Sequence, residues 1–452
     1  NRILKLNGII NLNPYECREE FFVFIKKKSQ NSYLNLFQFL NIPRFLFVHF
    51  KGLYGIYKKF FTTKFLQNEV NLKSKNLIIS YEDCISHEMH DKYYGELVQN
   101  LKQSGKNDIS EVHIDVFGSK SSRKSILHLI SFSEGVFLFL VSQLLFIYLL
   151  FNYIFSFLLK DIKIRHFYYE LLNQPNIYRL LFWDFAFKKL FKYVSKDSSI
   201  LFLLEGASWE WLLLYHCSNQ MRISGYIHAI ARPDQYSLYS LVDCFKNYKN
   251  FSILVSENWS LIRLENKCGK NLILKKVENL RFNNLKNNKK ELKNNIDLLI
   301  IGGLDGNLSK DLLGSIAYFL KNKNFKNMNI LVKEHPGNKK IFPLNSHKFF
   351  MKFSEISLPN AIYNAKAIFV SGYSAACIDV KSLGKKSFIF LPKQYLDLCP
   401  LPIKNRNLIS SKKVLYKILE NLEKAYKNTI DFEMPFFSKD NVEVVDWIVF
   451  FN

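Results

Sequence analysis

A chain of 452 residues is longer than one ordinary hydrophobic core supports, so two domains are expected. Hydrophobic residues make up 48% and aromatics 16%, with 42 Phe and 24 Tyr, which excludes a disordered chain. Sixty-three Lys and Arg against thirty-nine Asp and Glu leave a formal charge of +24, which suits nucleic acid, an anionic membrane surface or phosphate-bearing substrates.

In chain order, "NLIIS" (76–80) reads as a strand, and "KYYGELVQNLKQSG" (92–105) carries apolar residues at helical spacing before a Gly stop. Residues 135–159, "GVFLFLVSQLLFIYLLFNYIFSFLL", then run without a charge, long enough as a helix to cross a hydrocarbon core of about 30 Å. Arg123 and Lys124 precede this segment, and Lys160, Lys163 and Arg165 follow it. Three readings compete: a transmembrane span, a helix lying in the cytoplasmic leaflet, and a buried core helix. A span here would put parts of one fold on opposite sides of the membrane. The expectation is therefore peripheral attachment to the inner face of a bacterial cytoplasmic membrane. Seven cysteines, an odd number with no C-x-x-C spacing, fit a reducing cytoplasm, and no secretory leader pattern follows Asn1.

Further on, "SSILFLLEG" (198–206), "RISGYIHAI" (222–230) and "FSILVSEN" (251–258) are continuous apolar runs separated by helical patterns such as "SWEWLLLYHC". Such runs belong to a parallel sheet covered on both faces. The polar stretch 281–295, "RFNNLKNNKKELKNN", reads as a linker, dividing a first domain (1–285) from a second (286–437). Alternation restarts with "IDLLIIGGLDGN" (296–307), a helix over 311–320, and the strands "MNILVKEH" (328–335), "AIFVSG" (367–372) and "SFIFLP" (387–392), with a helix from Ser374. Residues 438–452 predict a terminal helix packing back across the domains. The fold class is therefore α/β, two Rossmann-like domains facing a central cleft.

In open parallel sheets ligands bind beyond the carboxyl ends of the strands, and the notable polar clusters fall there. After the first strand of the second domain come Gly302, Gly303, Leu304, Asp305, Gly306 and Asn307, with Ser309 a candidate N-cap: an anion-binding turn, or an ordinary strand-to-helix turn. Next come Lys333, Glu334, His335 and Pro336; Lys333 and His335 alternate onto one side, toward one phosphate, and the proline ends pairing. Ser371 and Ser374 stand at a helix N-terminus, and Asp379 follows as a ribose partner or a solvated acid. In the first domain, Glu205 before Gly206 places a carboxylate where partial burial would raise its pKa for general-base work; its alternative is a helix N-terminal acid. Glu210 reads as helix surface or a partner of Arg222, and His228 with Arg232 stands at another strand end as candidate substrate contacts alongside Gly206. No aromatic-and-basic RNA signature is present, so nucleic acid is not an expected partner. No metal-like clustering of Cys and His occurs.

The order Glu205-Gly206, Lys333-Glu334-His335-Pro336, Ser371 to Ser374 resembles GT-B glycosyltransferases that use CMP-activated sugars, including bacterial sialyl-, pseudaminyl- and Kdo-transferases. "EGASWE" (205–210) is also similar to the "EG-x-x-W-E" core of bacterial surface-carbohydrate biosynthesis proteins. The resemblance implies that Glu205 is the acceptor-activating base, that His335 with Ser371 and Ser374 holds the CMP phosphate, and that no metal or cofactor is required. It implies a CMP-sugar donor, a 3-deoxy-ulosonic sugar such as Kdo or a nonulosonic acid, and a surface polysaccharide or lipid-linked glycan acceptor. Leu204 stands where sialyltransferases carry a second acid. Two alternatives remain at this stage: a CDP-glycerol or CDP-ribitol phosphotransferase, and a non-enzymatic membrane scaffold with the same fold.

Overall fold

The computed structural model of the chain describes residues 42–64, 74–81, 93–114, 124–158, 167–169, 171–173, 177–218, 220–228, 231–232, 235–269, 271–278, 280, 296–303, 305–322, 329–335, 350–351, 356–395, 397–401 and 406–427. Pro336, the expected linker 281–295, the expected helix 438–452, and Arg123, Lys160, Lys163 and Arg165 lie outside them.

Twelve strands among the described residues form two six-stranded sheets. The first contains β1 (Asn76–Tyr81), β2 (Ile109–Ile114), β3 (Ser199–Leu203), β4 (Arg222–Ile227), β5 (Phe251–Val255) and β6 (Ile273–Lys276). Its order is β2-β1-β3-β4-β5-β6, every pair parallel. The second contains β7 (Ile296–Ile301), β8 (Ile330–Lys333), β9 (Phe350–Met351), β10 (Ala365–Ser371), β11 (Phe388–Phe390) and β12 (Asn407–Ile409). Its order is β9-β8-β7-β10-β11-β12, again all parallel. Counted within its own domain this is 3-2-1-4-5-6, the doubly wound dinucleotide-fold order, and the first sheet follows the related 2-1-3-4-5 order with a sixth strand added. Two doubly wound parallel units in one chain constitute the GT-B architecture. β7 is buried at all six positions and β5 at all five, as expected of strands covered by helices on both faces.

The main α-helices among the described residues are α1 (Ile42–Lys64), α2 (Leu97–Gln103), α3 (Phe132–Leu158), α4 (Ile177–Tyr193), α5 (Ser208–His216), α6 (Tyr236–Phe245), α7 (Asn258–Cys268), α8 (Gly306–Asn322), α9 (Leu358–Asn364), α10 (Ala376–Ser382) and α11 (Lys412–Lys427). Pro43 sits in the first turn of α1, where its missing N–H costs no hydrogen bond. α3 starts with a reciprocal cap: the Glu134 amide donates to Ser131 Oγ at 3.3 Å, and the Ser131 amide to Glu134 Oε2 at 2.7 Å. The expected helix over 92–105 is shorter, spanning Leu97–Gln103, and the one over 311–320 is longer, spanning Gly306–Asn322.

The two domains touch through α7. The Arg263 guanidinium donates to the carbonyl of Ala231 at 2.7 Å and to that of Pro400, in the second domain, at 2.9 Å. The Lys381 ammonium lies 3.9 Å from the centre of the Trp259 ring, a cation–π contact across the same boundary. Glu257, just past β5, accepts from Ser382 at 3.4 Å, so the carboxyl end of the first sheet meets α10 of the second domain.

Candidate active site

In each doubly wound sheet the order reverses at one place, between β1 and β3 in the first and between β7 and β10 in the second, and a crevice opens beyond the strand ends there. At the first reversal the register pairs Ile79 with Phe202 and Leu203 with Tyr226. Continued by two residues, it sets Tyr81 level with Leu204, so Tyr81 and Glu205 emerge side by side, with His228 leaving the next strand.

The side chains meet. Tyr81 donates its hydroxyl to Glu205 Oε2 at 3.3 Å and accepts the Trp209 indole N–H at 3.1 Å. His228 Nδ1 lies 3.4 Å from Glu205 Oε1, and its ring packs edge-on against Tyr93 at 4.3 Å. The Glu205 side chain is 35% exposed, so one side of the carboxylate remains accessible. Burial raises its pKa above the ordinary value, and the Tyr81 hydrogen bond and the Arg232 charge partly offset that. Burial, and then the charges of Glu205 and Glu210, push the Tyr81 hydroxyl up, so Tyr81 remains a proton donor in this network.

Glu210 corrects the surface expectation: it is fully buried. Its carboxyl accepts the Glu205 amide at 3.0 and 3.1 Å and the Gly206 amide at 2.8 Å. It stands at the third helical position of α5 and reaches back over the N-terminus, satisfying donors the helix leaves open. Burial and the Glu205 charge hold its carboxyl well above the usual range against those amide bonds. Gly206 has φ 83°, and a Cβ there would fall 2.3 Å from the Leu238 nitrogen of α6, so neither the turn nor the packing admits a side chain. "EGASWE" is thus a strand-to-helix turn whose second glutamate ties the backbone and whose first is left to face the crevice. Arg232 follows His228 and is partly exposed, its backbone N–H capped by Gln235 Oε1 at 2.7 Å.

At the second reversal, Ile301 is in register with Lys333 on one side and Val370 on the other. Gly302-Gly303, Glu334-His335 and Ser371-Gly372 therefore leave the sheet at one level. A Cβ on Gly303 would lie 3.2 Å from Ser371 Oγ, so these two turns are in close contact. Ser371 is fully buried, and among the described residues its hydroxyl has no hydrogen-bond partner. Ser374 is buried beside it, its amide bonded to the Ser371 carbonyl at 2.9 Å and its hydroxyl accepting the Ala376 amide at 3.3 Å, so α10 begins two residues later than expected.

Two expectations for the glycine turn are corrected. Asp305, not Ser309, caps α8: its Oδ1 accepts the amides of Asn307 at 2.8 Å and Leu308 at 3.1 Å. Ser309 Oγ instead accepts the Gly303 amide at 3.0 Å and donates to the Asp305 carbonyl at 2.8 Å. The Gly303 amide, expected to meet an anion, is thereby engaged by Ser309, and the Asp305 carboxylate already complements the helix dipole. The Lys333 ammonium donates to the Ile356 carbonyl at the start of α9, and burial lowers its pKa. His335 is partly exposed two residues beyond β8, and Asp379 is buried in α10. No group of metal-ligating side chains occurs among the described residues.

Tyr81 carries no motif in the sequence, and Trp209 enters there only as the tryptophan of "EGASWE". The place of Tyr81 beside Glu205 follows from β1 lying next to β3, a pairing across 117 intervening residues (82–198) that no periodicity records.

No protein-family model matches the chain, and no curated protein sequence matches it. Solved structures do align with it. The S. aureus MnaA–UDP co-structure aligns with a TM-score of 0.47 and 10% identity, covering 78% of this chain and 88% of that one. UDP-GlcNAc 2-epimerase from Neisseria meningitidis bound to UDP-GlcNAc gives 0.46 and 11%, covering 78% and 92%. The glycosyltransferase SnogD from Streptomyces nogalater gives 0.38 and 11%, covering 79% and 99%. Likeness of this degree carries no statement about chemistry, which rests on the residues themselves.

Proposed function

We propose that the chain is a glycosyltransferase that moves a CMP-activated 3-deoxy-ulosonic sugar onto a surface glycan, with Glu205 as the general base and the turn Ser371 to Ser374 at the donor phosphate. The observation that carries this is the meeting of Tyr81, Glu205 and His228 at one sheet reversal and, at the other, a buried Ser371 hydroxyl without a hydrogen-bond partner among the described residues. The order of the sequence motifs supports the CMP donor.

In this reading an acceptor hydroxyl approaches the accessible side of Glu205 and gives its proton to a carboxylate oxygen. The acceptor oxygen forms its bond to the anomeric carbon while the bond from that carbon to the CMP phosphate oxygen breaks, and the electron pair leaves with the phosphate. A base of raised pKa suits a hydroxyl near neutral pH. Tyr81 and His228 hold the carboxylate in place. At the donor end, Ser371 Oγ and His335 would donate to the charge developing on the phosphate.

The test is incubation of the full chain with CMP-Kdo or a CMP-nonulosonic acid, CDP-glycerol and UDP-GlcNAc in separate reactions with a glycan acceptor, reading release of the nucleotide. CMP release from the CMP-sugar alone is expected. Release from CDP-glycerol or UDP-GlcNAc alone overturns the donor assignment, and no release from any of them overturns the transferase reading.

A further inference from the structure

The long apolar helix is neither core nor isolated. In α3 only 28% of the most apolar stretch is buried, which rules out a core helix. The buried positions, Gly135, Leu138, Ser142, Phe146, Leu149, Tyr153 and Ser156, recur every three or four residues from one end to the other, so one face is held by protein along the whole length. The polar hydroxyls on that face are satisfied within the helix, Ser142 Oγ on the Leu138 carbonyl at 2.8 Å and Ser156 Oγ on that of Tyr153 at 2.5 Å.

What holds α3 is α1, a helix with no clear signal in the sequence. The two run antiparallel: Phe45 meets Tyr153 at 5.1 Å between ring centres, His49 stacks on Phe146 at 3.9 Å, Tyr57 meets Phe139 at 5.0 Å, and Phe61 meets Phe132 at 5.8 Å. Both lie on α4, through Tyr178, which shares a 2.5 Å hydrogen bond with His49, and through Phe182 beneath Tyr57 at 5.6 Å. On the side away from α4 the pair presents exposed Phe47, Phe50 and Tyr54 from α1 beside Leu144, Ile147 and Phe151 from α3, each at least 60% exposed. Phe61 and Phe132, both exposed and in contact, join the two faces.

Charge names the occupant. Arg44, Lys51 and Lys58 of α1 are exposed and spaced seven residues apart, so they form one stripe. At 100° per residue this stripe borders the exposed apolar sector on one edge, while His49 and Tyr57, which touch α3, lie beyond the other edge. α1 contains no acidic residue, and the one acid of α3, Glu134, is bound to Lys189 of α4. An apolar plane with aromatic rings, a basic border and no exposed acid matches an anionic lipid surface.

We propose that α1 and α3 form a docking platform that lies flat in the cytoplasmic leaflet of an anionic bilayer, with its apolar face at the boundary of headgroups and acyl chains. A span does not fit the packing, since it would carry Lys51, midway along α1, to the bilayer centre beside α3. The platform also has a bearing on chemistry, and that consequence rests on the transferase reading. α4 meets the platform through Phe182 and stacks Phe187 against Trp209 at 6.4 Å, and Trp209 holds Tyr81 on Glu205. One helix thus separates the lipid face from the candidate base, a geometry suited to an acceptor glycan carried on a lipid.

The test uses the full chain with vesicles of phosphatidylcholine, with or without phosphatidylglycerol, read by co-sedimentation, and is independent of any transferase assay. Binding to the anionic vesicles is expected, falling at least ten-fold for Phe50→Ser with Leu144→Ser, two exposed positions whose change leaves the thermal unfolding midpoint in place. Lys51→Glu with Lys58→Glu is expected to remove the preference for the anionic lipid. A nitroxide attached at Phe137→Cys, Leu144→Cys or Phe151→Cys, in a background with Cys17→Ser, Cys84→Ser and Cys244→Ser, should report one shallow depth at all three positions. A probe deepest at Leu144→Cys and shallower on either side would establish a span and overturn the flat arrangement. Unchanged vesicle binding by the serine variant, or a face that self-associates in solution without binding vesicles, would overturn the lipid assignment in favour of a second copy or another protein.

Discussion

At the first sheet reversal Glu205 receives Tyr81, faces His228 and is tied from behind by Glu210, whereas at the second the Ser371 hydroxyl is buried with no partner among the described residues. In the first region Glu205 and its turn have hydrogen bonds in place without a ligand. The second carries an unmade one, at a cost of about 1–3 kcal/mol to the empty protein. A proton-transfer group gains from being fixed before substrate arrives, because misplacement weakens catalysis. A ligand-binding group gains from the opposite, since the bond it lacks is made only when the ligand supplies an acceptor. The difference between the regions is what the two halves of a transfer reaction require.

The largest test of that contrast is Glu205→Gln, which keeps the shape and removes the base. Turnover is expected to fall by about 10²–10⁴-fold, with CMP affinity in calorimetry unchanged; equal turnover would take the chemistry away from this region. Gly206→Ala strikes the scaffold of the same region, adding positive-φ strain of about 1–3 kcal/mol to a contact that must move. Chemical denaturation should show that loss, and a variant as stable as the parent would contradict the turn geometry. Ser371→Ala separates the regions directly. Losing a hydroxyl bonded to a phosphate is expected to weaken CMP binding about ten-fold, roughly 1.4 kcal/mol, while the empty protein unfolds at the same temperature or higher because a buried unsatisfied group has gone. A lower midpoint with unchanged CMP affinity would make Ser371 structural.

The smallest effect is electrostatic. Glu210 has its folded pKa raised well above 4.5, so the folded state binds a proton that the unfolded state releases. Its contribution to stability is complete below about pH 4.5 and declines as pH rises through the raised folded value. Glu210→Gln should flatten that decline between pH 4.5 and neutrality in thermal unfolding. An identical pH profile would show that burial and the Glu205 charge do not raise the Glu210 pKa in the folded protein.

Much of this arrangement was legible in the chain. Runs such as "SILFL" and "IDLLII" are apolar at successive positions because strands buried on both faces have no polar side, so the parallel sheets and their carboxyl ends could be located. Glu205, His335 and Ser371 followed from those ends. The role of Glu210 was missed because helical spacing does not distinguish an acid facing water from one folded back over its own N-terminus. The turn holding Asp305 reads either as an anion-binding turn or as an ordinary strand-to-helix turn, because both use the same residues until the hydrogen bonds are seen. α1 escaped notice because its apolar residues occupy two sectors, one facing protein and one exposed, which blurs the periodicity of an amphipathic helix.

By itself, then, the sequence determined local matters: where strands begin and end, which polar residues stand at their ends, and that residues 135–159 are too apolar to sit in water unaided. Only the tertiary structure decided strand order, and with it the meeting of Tyr81 and Glu205 and the level placement of Gly303, His335 and Ser371. It also decided that α3 lies along α1 instead of standing alone. The physical reason is the same in each case: periodicity records which side of an element is buried, and it does not record which distant element does the burying.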